Sequence, residues 1–385
     1  MKYDFDKLTE RRGTFSVKWN MPNDSDIIPL WVADMDFEVA QPIADAVKRR
    51  AEHPVYGYVN VPDEFCDAII NWFGRRHSWT IKKDWIEYTT GVVPAVSVVV
   101  KALTQPGDKV LLPTPDYNCF YSCIRNNKCQ LVESALKREG DSFVFDFDDI
   151  EKKASDQAVK LIILCNPHNP TGRVWTAEEL TKLAEICQRN GVKIVSDEIH
   201  CELTEPGLDY VPFGTVAEQL GISYVTCGSP SKSFNTAGLQ AAFIVTNNSE
   251  WKAKINRAIN DNEVCDLNPF GVEALIAAYN EGEEWLDQLR EYLWDNYKLL
   301  KTYFAEHFPA LTVFKLEGTY LVWVDITPTG MTADEVTKKL LDDAHVWVNS
   351  GTMYDPTNGD GYIRINIATQ RSRLEEALNR MEKVL

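Results

Sequence analysis

The stretch KLIILCNPHNPTGRVWTAEELTKLAEICQRNGVKIVSDEIH, residues 160–200, carries in succession the patterns that decide the fold. Lys160–Cys165 is a short apolar run, ended by the turn formers Asn166, Pro167, Pro170 and Gly172. Thr176, followed by Glu178 and Glu179, reads as a helix N-cap with acidic residues in the first turn, where the helix dipole favours them. The pattern predicts a helix over Ala177–Asn190, closed by Gly191 in the left-handed cap conformation that glycine adopts most easily. Val192–Ser196 is then a second apolar run. Strand, crossover helix and strand in this order lie parallel in one sheet that helices cover.

The same rhythm continues on both sides. Lys109–Leu112, Tyr224–Cys227 and Ala241–Val245 are further strand candidates, which makes the middle of the chain α/β with a mainly parallel central sheet between helices. After Asn268 the texture changes. Helices are expected over Asn268–Asn280 and Glu283–Phe308, strands over Leu321–Val324, Val346–Val348 and Tyr362–Asn366, and helices over Ala333–Asp342 and from Ser372 onward. That mixture predicts a smaller α+β body. The first fifty residues have no strand–helix rhythm of their own and must pack on another part of the protein.

Composition narrows the partners. Among 385 residues, 57 acidic side chains outnumber 40 basic ones, for a net charge of −17. Binding of nucleic acid draws on Lys and Arg at phosphates, so this excess argues against it, as it does against an anionic membrane surface. No apolar stretch approaches the roughly 18 residues of a spanning helix; the longest candidates include Leu161–Cys165 and Val92–Val100. Nine scattered cysteines do not form a disulfide framework. Cys119, Cys123 and Cys129 lie closest together, but without a CxxC pair or a nearby histidine they read as free thiols, and no metal is expected. The opening residues lack a signal-peptide core, and the expected compartment is the cytoplasm.

Phosphate-binding GxxxxGK[ST], nucleophile-elbow GxSxG and zinc-binding HExxH patterns are absent. Polar residues just after apolar strands remain, and in doubly wound sheets ligands bind at those strand ends. Asn169 projects an amide from the turn after Lys160–Cys165; a plain strand-exit turn explains it equally well. Asp197 ends the next strand, where a buried carboxylate needs a cation, and His200 follows it. In GSPSKSF (228–234), Ser229, Ser231 and Ser233 flank Lys232 in a compact turn. Hydroxyls and free N–H groups of that kind cradle phosphate, and a lysine beside them can form a Schiff base, although composition alone fits a polar loop. Arg364 sits within a strand pattern, as arginines paired with an acid do, whether the acid is a substrate carboxylate or a structural partner.

Asn169, Asp197 and Lys232 at the ends of successive strands, with Arg364 far downstream, resemble the order found in fold-type I pyridoxal-phosphate enzymes of the aminotransferase class I/II family. The sequence most resembles the cystathionine β-lyase (C–S lyase) branch, the MalY/PatB group. The resemblance runs through RRGTFSVKW (11–19), PLWVADMDF (29–37), VYGY (55–58), GVVPA (91–95), CNPHNPTGRVW (165–175), SDEIH (196–200), SPSKSFN (229–235), AYNEGEEWL (278–286), EGTYLVW (317–323) and GYIRINIA (361–368).

This resemblance implies roles residue by residue. Lys232 matches the lysine that holds pyridoxal 5′-phosphate and takes the substrate Cα proton. Asp197 matches the carboxylate that keeps the pyridine nitrogen protonated. Asn169 matches the amide on the ring hydroxyl, beside the substrate; His200 stands where many relatives have Tyr, and Tyr117 matches the aromatic stacked on the ring. Ser229, Ser231 and the backbone N–H groups of Val92 and Val93 match the phosphate cradle, and Arg364 the clamp on the substrate carboxylate. Ala33 would offer backbone to that carboxylate, and Trp31 is either a pocket wall or structural. Tyr58, with Tyr56 as the competing choice, resembles a tyrosine that reaches a neighbour's phosphate, which implies a homodimer. Asn349-Ser350-Gly351 and Thr369-Gln370 depart from the family's usual Asn-Pro-Gly and Cys-Pro, outside the cofactor residues.

The implied organisation is two bodies: residues 49–280 bind the cofactor, and residues 1–48 pack with a small body of residues 281–385. The implied activity is β-elimination from L-cystathionine or a related cysteine S-conjugate. An aminotransferase using the same residues, or a regulatory binding protein of the same fold, are the competing expectations.

Overall fold

The crossover helix that follows Val159–Cys165 shows how local sequence sets the frame. In the computed structural model, which describes residues 2–21 and 24–385, Thr176 Oγ accepts the Glu179 N–H at 3.2 Å while Glu179 Oε2 accepts the Thr176 N–H at 2.8 Å. The helix spans Ala177–Asn190 and ends at Gly191, whose φ of 69° is left-handed. The expected strand–helix–strand unit forms, with Val159–Cys165 parallel to Lys193–Asp197.

These strands lie inside a seven-stranded sheet in the order Ile86–Thr89, Ala242–Val245, Val225–Gly228, Lys193–Asp197, Val159–Cys165, Lys109–Thr114, Gln130–Ala135. Ala242–Val245 runs antiparallel to both neighbours, and the other pairings are parallel. Side-chain alternation divides each central strand between two cores. Val110, Leu161, Ile163, Val195 and Ile244 pack on one face with the helix Val92–Leu103. Leu111, Ile162, Leu164, Ile194 and Val245 pack on the other with Leu180, Leu183 and Cys187 of the crossover helix. Each fully buried aliphatic side chain contributes about 1.5–3 kcal/mol.

A second, antiparallel sheet orders Thr312–Val313, Leu321–Asp325, Tyr362–Asn366 and Asn349–Ser350. The opening segment is tied to this part of the chain: Ile28–Pro29 pairs in parallel with Val346–Trp347. The helix Glu283–His307 crosses behind and buries Leu286, Leu289, Leu293 and Leu300. Among the described residues, no helix is long and apolar enough to cross a membrane.

The parallel strands all deliver their carboxyl ends to one side. Four loops gather there, carrying Tyr117, Asn169, His200 and Lys232.

Candidate active site

At this strand edge lies a cavity of about 270 Å³, lined by Ala33, Val92, Val93, Tyr117, Asn169, Asp197, His200, Ser229, Ser231 and Lys232. Ten of the residues singled out from sequence therefore share one space. Asp197, the last residue of its strand, accepts the Ile199 N–H at 3.0 Å. Burial pushes its carboxyl up to about 7; that N–H opposes the rise, while the negative charges of Asp116 and Glu198 add to it. Lys232 points its amine at the Ala33 carbonyl, 2.6 Å away. Burial lowers the amine to about 8, with Asp34 and Asp197 pulling upward and Arg364 adding to the fall. His200 is buried, and that burial, reinforced by Lys232 and Arg364, holds its ring well below the usual imidazole range and therefore neutral. Its Nδ1 is buried with no hydrogen-bond partner among the described residues.

One end of the cavity suits an anion. Gly91 precedes the helix Val92–Leu103 and supplies no side-chain cap, so the first-turn N–H groups of Val92 and Val93 have no partner within the helix. Their partial positive charge adds to the dipole of a twelve-residue helix. Ser229 donates its hydroxyl to the Ala241 carbonyl at 2.7 Å and accepts the Ser231 N–H at 3.0 Å, which fixes the turn before Lys232. Arg364 does not itself line the cavity but sets a cation behind Asn169 at its edge. Arg364, buried in the strand Tyr362–Asn366, donates Nη1 to Asn169 Oδ1 at 3.0 Å and Nη2 to the Trp31 carbonyl at 2.8 Å. Its guanidinium lies 4.7 Å from the centre of the Tyr354 ring, and its Nε has no hydrogen-bond partner among the described residues.

Tyr58 stands apart, 97% exposed and outside this cavity. Tyr56 packs on Phe270 with ring centres 5.5 Å apart and donates to the Ala51 carbonyl at 3.1 Å. Trp31 stacks on Trp347 at 4.5 Å. Sequence reasoning passed over Thr90, Cys165, Ile199 and Gln240, which also line the cavity, and Tyr320, whose ring lies 6.0 Å from that of His200. Gln240 carried no signal in the sequence; it closes the short helix Ala237–Leu239 with a left-handed φ of 51°.

The close-set group of potential metal ligands among the described residues is His77, Cys201 and Glu202 rather than the Cys119–Cys129 region. Glu202 already accepts from Trp72 Nε1 at 2.6 Å and from Arg76 Nε at 3.2 Å, with His77 Nε2 at 2.7 Å. Burial raises its carboxyl, but His77 and Arg76 outweigh this and hold it at about 2. The group is an ion-pair network beneath the loop that carries His200.

Residues 25–381 match the family model described as aminotransferase class I and II. The chain belongs to that family. Within it, the chain is 37% identical to cystathionine β-lyase PatB of Bacillus subtilis, over 99% of this chain and the whole of that one. Two solved structures share the fold closely, each with pyridoxal phosphate bound. A putative aminotransferase from Clostridium difficile superposes with a TM-score of 0.96 at 40% identity, covering 99% of each chain. Cystalysin from Treponema denticola superposes with a TM-score of 0.96 at 32% identity, covering all of this chain and 99% of that one. The mainly parallel sheet between helices is thus the fold-type I architecture expected from the sequence.

Proposed function

We propose that this chain is a pyridoxal-phosphate-dependent carbon–sulfur lyase. It eliminates the thiol from L-cystathionine or a related cysteine S-conjugate, leaving pyruvate and ammonia, with homocysteine as the thiol from cystathionine. The observation that carries this reading is the convergence of Lys232, Asp197, Asn169 and His200 on one cavity, with Arg364 bonded to Asn169 at its edge, in a chain similar from end to end to a cystathionine β-lyase.

The donor set fits the cofactor. Asp197 has an N–H partner and a carboxyl raised by burial, so a protonated ring nitrogen supplies the cation that restores its charge. Asn169 Oδ1 accepts from Arg364, which leaves Nδ2 as the donor that would hold the ring hydroxyl. The uncapped turn at Val92 and Val93, with Ser229 and Ser231, receives the phosphate. When bound, the cofactor supplies a conjugated ring that accepts the electron pair left at the substrate Cα.

The protein's own residues do the rest. Lys232 Nζ holds the cofactor and, once released, takes the Cα proton; an amine lowered to about 8 is in part unprotonated at neutral pH, as a base must be. Arg364 offers the substrate carboxylate a charge-assisted pair and so fixes which bond at Cα faces Lys232. Tyr117, which lines the cavity, would cover the cofactor's ring face and exclude water there.

A second reading has support in the structural similarity to the putative aminotransferase: the same residues serve amino-group transfer. Incubation with L-cystathionine and no keto-acid acceptor separates the two. Pyruvate and free thiol in equal amounts are expected; product that appears only on adding an acceptor overturns the lyase.

Exposed Val55, Tyr56 and Tyr58 form an apolar segment that supports a homodimer, with Tyr58 reaching the partner's phosphate. The pairing of Ile28–Pro29 with Val346–Trp347 supports residues 1–48 moving with residues 281–385, around a cofactor-binding body of residues 49–280. Nine free thiols support the reducing cytoplasm as its compartment.

A further inference from the structure

Tyr320 is fully buried just before the strand Leu321–Asp325. Its hydroxyl donates to the Ala33 carbonyl at 2.9 Å. The same oxygen accepts the Lys232 amine at 2.6 Å. One carbonyl thus serves two donors, one for each lone pair, and holds phenol and amine against a common atom.

The segment that presents this carbonyl is pinned on both sides. The Trp31 carbonyl accepts Arg364 Nη2 at 2.8 Å and Asn349 Nδ2 at 2.9 Å. The Asp34 carbonyl accepts Asn366 Nδ2 at 2.8 Å, and the Met35 carbonyl accepts Asn235 Nδ2 at 3.0 Å and Arg11 Nη1 at 3.0 Å. The Ala33–Asp34 peptide is also held through its N–H, which donates to the Val32 carbonyl at 2.9 Å, and Tyr320 and Lys232 are the side chains that reach its carbonyl oxygen.

We propose that Tyr320 is a positioning residue for proton transfer: it holds the Ala33 carbonyl as the docking point for the Lys232 amine when that amine is free, and so aims its lone pair at the substrate Cα. The proposal rests on the pyridoxal-phosphate reading given above.

The arrangement also tunes the amine. A carbonyl that already accepts a phenol is a poorer acceptor for an ammonium, so the phenol loosens the proton on Lys232. The charged and titratable groups facing Lys232 are Asp34 on the pinned segment, Asp197 at its strand end, Arg364 on the second sheet and Cys119 on the helix after Tyr117. Those facing Tyr320 are Asp34, Arg364 and Tyr117, with the neutral His200 ring beside it. Asp34 and Asp197 hold the lysine proton on and Arg364 drives it off, with the phenol on the side of Arg364.

Tyr320→Phe tests this. The Ala33 carbonyl keeps Lys232 as a partner, so the substitution strands no acceptor and the variant folds. With holoenzyme, kcat for elimination is expected to fall about tenfold, the value of one hydrogen bond, while KM stays within about twofold. The acid limb of the kcat–pH profile moves to higher pH, because the amine now binds its proton more tightly. With cofactor-free enzyme, the pH dependence of pyridoxal-phosphate uptake, followed by absorbance, moves upward in the same sense. That second measurement needs no turnover and no knowledge of the substrate. A loss confined to KM or to thermal stability, with both pH profiles unmoved, overturns the proposal and leaves Tyr320 a structural residue. Wild-type enzyme that takes up no cofactor would instead overturn the reading beneath it.

Discussion

Asp197→Asn should make the cofactor-free protein more stable while removing its activity, and the size of the gain follows from where the carboxyl sits. It is buried at a strand end, and its pKa is raised from 3.8 to about 7. At 1.36 kcal/mol per unit, holding the charge inside costs about 4 kcal/mol. The unfolded chain releases this proton near pH 4 and the folded chain near pH 7. Between those values the unfolded state binds fewer protons, so stability falls as pH rises, and the full loss is present above pH 7. Asparagine has no charge to bury and can still accept the Ile199 N–H. The variant should therefore exceed the wild type by about 2 kcal/mol at pH 5 and by about 4 kcal/mol at pH 8, read from urea midpoints of the two cofactor-free proteins. Adding pyridoxal phosphate should reverse the order, since only the wild type gains a charge-assisted pair to the ring nitrogen. Equal stability at pH 8, or a gap that fails to widen between pH 5 and pH 8, refutes the reasoning.

Two further substitutions probe the remaining parts of the site. Lys232→Ala should yield a colourless or readily bleached protein with no elimination activity, because the nitrogen that holds the cofactor and moves the proton is gone; yellow, active enzyme would show that another residue does this work. Arg364→Ala should retain cofactor absorbance while KM for the amino acid rises ~30–150-fold, the loss of one charge-assisted pair worth about 2–3 kcal/mol; an unchanged KM would place the substrate carboxylate elsewhere.

The interior strands were legible because both faces of the sheet are covered, which makes each of them a continuous apolar run, as in Leu161–Cys165. The crossover helix was legible to the residue, since its cap, first turn and terminal glycine are local signals. Ile86–Thr89 and Gln130–Ala135 were missed, and both lie at sheet edges, where burial is partial and the pattern weakens. Val92–Leu103 shows the opposite conflict. Its run of β-branched valines favours a strand locally, but the sheet face it covers rewards a helix. Within the site, residues on strand ends could be found from chain order. Tyr320 could not: its role depends on an oxygen 287 residues away, and nothing in EGTYLVW points to Ala33.

The pinned segment at Trp31–Met35 has a consequence for how the protein is made. Trp31 and its partner Arg364 are separated by 333 residues. At ~5–20 residues per second, the ribosome delivers the second roughly 17–67 s after the first. Throughout that interval the wall of the active site lacks Arg364 and Asn366, the side chains on its Trp31 and Asp34 carbonyls. The lysine turn at 229–235 emerges well before Arg364 and Asn366, so a nascent chain passes through a stage in which the amine is present and its docking carbonyl is not yet fixed. Competence for catalysis is therefore a property of the finished chain, switched on by its last strand.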